Sequence, residues 1–375
     1  MNKELSCPKC AAPLNVDTRS KRIIVCTFCG ATSNAATVDG EAHLILDESG
    51  VFKSSSGELV EGASLWRDAW QRLLKNKLAV FGMIVLGVMV IAVIIGPAII
   101  RWATGFTPDY IPSDIDGGAR VKSFPPSLQH PMGTDDSGRD LLARVLQGGR
   151  ISLMVGIIST IVSLIVGVSW GAIAGFLGGR VDNIMMRIVD IIYAIPYILI
   201  VIVLLSVFGG PNTPAFITFL SETFGGAGNQ GLSQIFMLFF ALGLVSWLTM
   251  ARVVRGQILS LKNQEFVLAA KATGVSTFGI IFRHLVPNSL GPVIVYATLT
   301  VPSVMLTEAF LSFLGLGVQA PYASWGSLAA DGIKNIQIFP WQLIFPGVTM
   351  ALTLFSLNFL GDGLRDALDP QTRKF

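Results

Sequence analysis

The sequence predicts an all-α polytopic membrane protein of about six transmembrane helices, preceded by a small β-rich domain that holds every cysteine. Three observations predict it. Of 375 residues, 52% are hydrophobic and only 14% are charged, against roughly a quarter charged in an average soluble domain. The charges cluster between windows that carry none, at 78–100, 151–179, 191–221, 223–251, 285–307 and 335–361. The four cysteines, Cys7, Cys10, Cys26 and Cys29, form two CxxC pairs at one end, and the remaining 346 residues contain none.

Residues 1–47 are expected to form the small domain. Each CxxC presents two thiolates from one turn, and two such turns complete a tetrahedral S4 site at about 2.3 Å per bond. The pairs stand 15 residues apart, Arg22–Val25 between them reads as a strand, and Gly30 lets backbone amides face sulfur. His43–Leu46 adds a further candidate strand. This is the pattern of a zinc ribbon with structural Zn2+ as its cofactor. No His or carboxylate suggests an open position, so the site is expected to be structural. Disulfides or redox dithiols are the competing reading, disfavoured by a cytoplasmic location. A domain of about 40 residues has little core, so metal binding would supply much of its folding energy. The opening residues through Cys7 lack an apolar stretch, which argues against a cleaved signal peptide or a lipidated Cys7. Residues 48–63 are polar and Gly/Ser-rich, which favours a flexible linker.

Residues 64–77 are amphipathic and basic, with Trp66 and Trp70 four apart. Tryptophan prefers the bilayer interface, so an interfacial helix on the cytoplasmic surface is expected; a continuous extension of the first span fits equally well. A crossing helix needs about 20 apolar residues for a core of roughly 30 Å. Trimmed of Gly178-Gly179, Gly209-Gly210-Pro211 and Gly225-Gly226, each window still supplies a span within 78–375. The uncharged stretch between Glu308 and Asp331 holds three glycines and Pro321. Lipid offers an interrupted backbone no partner, so that stretch is expected to be re-entrant or interfacial. Fourteen Lys/Arg flank the spans on the side of the termini and seven on the other, which puts both termini in the cytoplasm. A net charge of +3 without a dense basic stripe argues against nucleic acid as a partner.

The longest cytoplasmic connection, 252–287, lies between the fourth and fifth spans. Glu265–Gly274 is helical with small residues on one side, ending at a glycine suited to a C′ position. Ser276 or Thr277 can cap a second short helix that stops before Pro287. This loop, EFVLAAKATGVSTFGIIFRHLVPN, resembles the EAA coupling loop of ABC-importer permeases. The resemblance runs from about Trp66 to the C-terminus and includes HPMGTDDSGRDLLARVLQGGRISL, GAIAGFLGGRVDNIMMRIVDIIYAIP, EAFLSFLGLGVQAPYASWG and NFLGDGLRDALDP. These are similar to the dipeptide/oligopeptide/nickel branch, and within it to the second of two permease subunits; the zinc ribbon is not part of that pattern.

The resemblance implies the type I ABC-importer permease fold in the inner membrane of a prokaryote. It also implies a second homologous permease, two cytoplasmic ATPase subunits and an extracytoplasmic solute-binding protein as partners. Glu265, Leu268, Ala269, Ala270, Lys271, Gly274, Arg283 and Pro287 carry the coupling loop onto this chain. Leu268 departs from the family, which has a glutamate there. ATP-driven closure would rock the permeases between inward-open and outward-open, moving peptides or a related small solute such as nickel. No GxxxxGK[ST] sequence occurs, so no nucleotide is expected on this chain.

Within the membrane, Glu308 is an ionisable group at depth and hence a pathway candidate, with hydrogen bonds from the Gly315/Gly317 loop as its plain alternative. Pro196 and Pro302 are further pathway candidates, and Pro346 a third kink. Asp190 and Arg187 read as packing or snorkelling charges. In TDDSGRDLLARVL, Asp135 to Ser137 can cap a helix whose Asp140 and Arg144 pair at i,i+4. The rival functional class is an autonomous secondary transporter or channel with a zinc-dependent regulatory N-terminus. It would need intramembrane coupling residues, for which only Glu308 and Asp190 qualify.

Overall fold

The computed structural model describes residues 65–111, 122–208, 212–225 and 230–368, with six short strands between Leu5 and His43. The chain divides into two units, Met1–Asp68 and Ala69–Phe375. In the first, the strands form three antiparallel pairs: Leu5–Ser6 with Pro13–Leu14, Ile23–Val25 with Thr32–Asn34, and Ala36–Val38 with Glu41–His43. Cys7, Cys10, Cys26 and Cys29 and the linker at 48–63 lie outside the described residues.

From Leu65 onward the elements are helical. Helix α1 (Leu65–Lys75) buries Ala69 and Leu73 against Ala79 and Ala367, while Trp70 and Leu74 stay exposed on its other side. It stops at Asn76, whose side chain accepts from the Leu78 and Ala79 amides at 3.1 and 3.3 Å. That N-cap satisfies two donors at the start of α2 (Lys77–Thr104), so α1 and the first span are separate helices.

Five helices are long and apolar enough to cross a membrane: α2, α3 (Leu141–Leu177), α7 (Gln230–Leu261), α11 (Leu290–Phe313) and α13 (Trp341–Leu368). The pair α4 (Gly179–Ala194) and α5 (Tyr197–Phe208), bent by 86°, is a broken span or a re-entrant loop, which makes five or six crossings. The window 191–221 is therefore not one helix. Pro196 pushes Ile195 out of the helical region, to φ −84° and ψ 132°, and α6 (Ala215–Gly225) follows as a separate piece. Helix α3 starts ten residues before its uncharged window because Asp140 caps it, accepting from the Ala143 amide at 2.8 Å. Arg144 pairs with Asp135 rather than with Asp140; the second oxygen of Asp140 instead meets His130 Nδ1 at 2.8 Å.

The core is the packing of α3 on α7. Gly167, Gly171 and Gly175 recur every four residues and let the two backbones approach closely, the arrangement that replaces hydrophobic drive between helices in lipid. A Cβ at Gly167 would lie 2.6 Å from that of Met250, and one at Gly175 would lie 3.0 Å from the Arg255 carbonyl oxygen. At Gly171 it would collide with the Ala251 carbonyl oxygen. In α2, Pro97 has no N–H to give the Val93 carbonyl four residues back. Arg150 of α3 supplies the missing donor, with Nε 2.8 Å from that oxygen and a terminal nitrogen 2.5 Å from Ile94 O.

The glycine-rich stretch after Glu308 lies against protein. Helix α12 (Trp325–Ile333) begins with a capping box in which Ser324 and Ser327 each bond the other's amide. The Trp325 amide donates to Ser152 Oγ at 2.9 Å and its indole N–H to Val145 O at 2.8 Å, both on α3.

Candidate functional site

The connection from α7 to α11 begins with α8 (Glu265–Ala272), which has Glu265 in its first turn and Lys271 in its last, each complementing the helix dipole. It closes in a Schellman motif: the Gly274 amide bonds Lys271 O at 3.0 Å and the Val275 amide bonds Ala270 O at 3.1 Å. Gly274 sits at φ +80°, a left-handed conformation that only glycine adopts cheaply. Ser276 then caps α9 (Thr277–Gly279), accepting from the Gly279 amide at 3.2 Å. A π-helical turn, Ile280–Leu285, follows and runs into α10 (Val286–Asn288). The second helix therefore does not stop before Pro287. The wide turn is closed by the Val286 amide on Ile281 O, and Pro287 follows directly after it at the start of α10.

The loop has two faces. Val267, Ala270, Ile280, Ile281 and Leu285 pack into one cluster with Met250, Val254 and Ile258 of α7. Lys271 reaches back over the Phe176 ring of α3, with Nζ 5.2 Å from its centroid. Outward stand Glu265, Leu268, Ala269, Gly274, Arg283 and Pro287, all exposed. With them stand Phe266, Phe278 and Phe282, the last two stacked at 5.2 Å. These three phenylalanines were not among the sequence-derived candidates. Exposed apolar groups gathered on one rigid loop mark an interaction surface.

A cavity of about 570 Å³ opens where α4 breaks from α5, between α7 and α11. Tyr193, Pro196, Tyr197 and Tyr296 wall it, and Ser246, Thr249, Thr300, Ser303 and Thr307 add hydroxyls. Among the described residues lining it there is no Asp, Glu, Lys, Arg or His. Of the pathway candidates, Pro196 lies in this wall; Pro302 is buried within α11, and Glu308 lies elsewhere.

Glu308 is 1% exposed, and one of its carboxylate oxygens accepts from the Ser312 and Ser324 hydroxyls, both at 2.7 Å. The Gly315 amide bonds Ser312 O instead of the carboxylate. Since Ser324 also caps α12, Glu308 fastens that helix to α11. Glu308→Leu is expected to cost about 1–3 kcal/mol, because two buried hydroxyls lose their acceptor. Glu308→Gln, which keeps an acceptor oxygen, should retain most of the stability; thermal unfolding in detergent measures both.

A bundle of five or six apolar spans, an uncharged cavity at a helix break and a loop with an outward apolar face define a polytopic membrane protein. The model of the family described as "Binding-protein-dependent transport system inner membrane component" matches residues 167–374. That described as "N-terminal TM domain of oligopeptide transport permease C" matches residues 64–122. The chain belongs to the binding-protein-dependent transport system inner membrane components: it is a multi-pass, non-catalytic permease subunit. It is 46% identical over 316 residues to the oligopeptide transport system permease protein OppC of Escherichia coli (strain K12), covering 84% of this chain and 94% of that one. Identity to OppC of Bacillus subtilis (strain 168) is 43% over 311 residues, covering 83% and 91%. With the dipeptide transport system permease protein DppC of the same organism it is 42% over 312 residues, covering 83% and 87%.

Proposed function

We propose that this chain forms half of the translocation pathway of an ATP-driven importer of di- or oligopeptides. The observation that carries the reading is identity above 40% to oligopeptide and dipeptide permeases over nearly their whole length. A second homologous permease completes the pathway, two cytoplasmic ATPase subunits supply the drive, and an extracytoplasmic binding protein delivers the solute. The excess of Lys and Arg on the side of the termini supports a cytoplasmic location for both ends and for the α7–α11 loop. One ATPase receives the outward face of that loop. Leu268 is 53% exposed there, so the contact at this position is apolar, in place of the glutamate of the EAA pattern that the loop resembles. The cavity between α4, α5, α7 and α11 lines the path, and its neutral hydroxyl-rich wall suits a substrate whose side chains vary.

Co-expression of this chain with its three partner types in a peptide-uptake-deficient host tests the reading. Labelled trialanine should enter in an ATP-dependent manner, and omission of this chain should stop it. A complete transporter that moves no peptide would sink the reading.

The two CxxC pairs support one structural Zn2+ held by Cys7, Cys10, Cys26 and Cys29. Zinc analysis of the purified chain should give about one equivalent, falling to none when Cys26 and Cys29 are both replaced by serine. Full metal content in that variant would remove the assignment.

A further inference from the structure

Two ion pairs tie α4 to α7, and they differ in kind. Asp182 and Arg255 meet through two bonds at 2.5 and 2.6 Å, and the Asp182 side chain is 9% exposed. Asp190 and Arg252 meet through one bond at 2.9 Å, with side chains 55% and 35% exposed. The first is a bidentate fastening. The second, held by a single bond between exposed side chains, is the weaker of the two.

Arg252 also lies over the Tyr193 ring, its guanidinium carbon 4.2 Å from the centroid, and Tyr193 forms part of the cavity wall. The guanidinium is thus held by a cation–π contact that does not depend on Asp190. It stands at the edge of a cavity whose described lining carries no formal charge. A planar guanidinium binds a carboxylate through two parallel bonds, and here it meets Asp190 through only one. A free carboxylate arriving from the cavity can therefore form a better pair than the resident one. The displaced Asp190 side chain is already 55% exposed, so little packing is lost when it moves.

We propose that Arg252 is a carboxylate-binding site at the end of the cavity, for which Asp190 competes, and that its ligand is the α-carboxylate of a peptide. The site rests on the peptide-import reading of the cavity. It recognises the feature all peptides share, while the neutral wall leaves their side chains unread. Asp190 acts as a built-in competitor for the same guanidinium.

That competition separates this role from a structural latch. A latch is broken equally by Asp190→Asn and by Arg252→Gln, whereas a competed site responds to them in opposite directions. Binding of trialanine and of its C-terminal amide to the assembled transporter in detergent, measured by calorimetry, tests this. The wild type should prefer the free acid. Arg252→Gln should weaken acid binding about ten-fold and bring acid and amide together, the loss expected for one hydrogen bond to a charged group. Asp190→Asn should tighten acid binding several-fold and leave the amide unchanged, and Arg252→Lys, which keeps the charge without the fork, should retain part of the preference. Equal shifts from Asp190→Asn and Arg252→Gln, or no acid preference in the wild type, would overturn the site. Uptake of trialanine by the wild type in proteoliposomes, run in parallel, keeps the two readings apart. Uptake without acid preference removes the site and leaves the import reading standing; acid preference without uptake removes only the import reading.

Discussion

Gly274→Val is expected to leave the chain inserted in the membrane at near-normal levels and to abolish solute uptake. Nothing lies within 4 Å of a Cβ at this position, so the substitution meets no steric obstacle. Its cost is in the backbone. At φ +80°, an L-residue pays about 1–2 kcal/mol, and a β-branched one is a clear outlier there. The cheapest relief is to open the Schellman bonds at Lys271 and Ala270 and let the end of α8 unwind. That shifts the outward surface carrying Leu268 and Phe278 while the membrane core, which holds none of this strain, stays intact. Gly274→Asn should keep most of the uptake, since asparagine visits the left-handed region more readily. Quantifying chain and transport in the same vesicles decides the matter; normal uptake by the valine variant would end the coupling role assigned to this loop.

Gly171→Leu is expected to have the opposite character, with little folded protein to assay at all. The first added carbon meets the Ala251 carbonyl oxygen, which belongs to a helix backbone and cannot rotate away. Overpacking of this sort costs about 1–3 kcal/mol or more, and here it separates the two helices that share the largest interface. Gly256→Leu on α7 is the control, because nothing lies within 4 Å of a Cβ there. Size-exclusion profiles and thermal unfolding in detergent should show the first variant aggregated and the second indistinguishable from wild type. A monodisperse Gly171→Leu would show that the α3–α7 contact tolerates separation.

Much of this architecture was legible in the sequence, for a physical reason. Lipid imposes a length and an absence of charge, so five of the crossings stand out as uncharged windows. The sixth did not read correctly: windows report hydropathy, while the 86° bend at Ile195–Pro196 is a backbone property carried by one proline. A helix over TDDSGRDLLARVL was readable, but its cap is Asp140 rather than a residue of Asp135 to Ser137, and its continuity with the span was hidden because its first ten residues carry charge; the packing of Trp325 on Val145 and Ser152 helps hold them helical. The pairing of Arg144 with Asp135 was equally hidden, since helical spacing pointed to Asp140 and only the folded turn shows that Asp140 is already engaged. The α8 cap at Gly274 was readable because local chemistry determines it. The outward stack of Phe278 and Phe282 was not, because aromatic residues in a buried-looking pattern give no sign of which side they face.

The bonds from Arg150 to the carbonyls of Val93 and Ile94 have a consequence for movement. A proline kink in a crossing helix is ordinarily a joint, free to flex because its carbonyl has lost its donor. Here the joint is splinted from outside by the neighbouring helix, so α2 cannot bend at Pro97 without breaking a charge-assisted bond to α3. The two helices must swing as a single lever. The break at Pro196 has no such splint among the described residues, and it stands beside the cavity. The bundle therefore carries one proline site stiffened by its neighbour and one break left unsplinted, and the break borders the cavity.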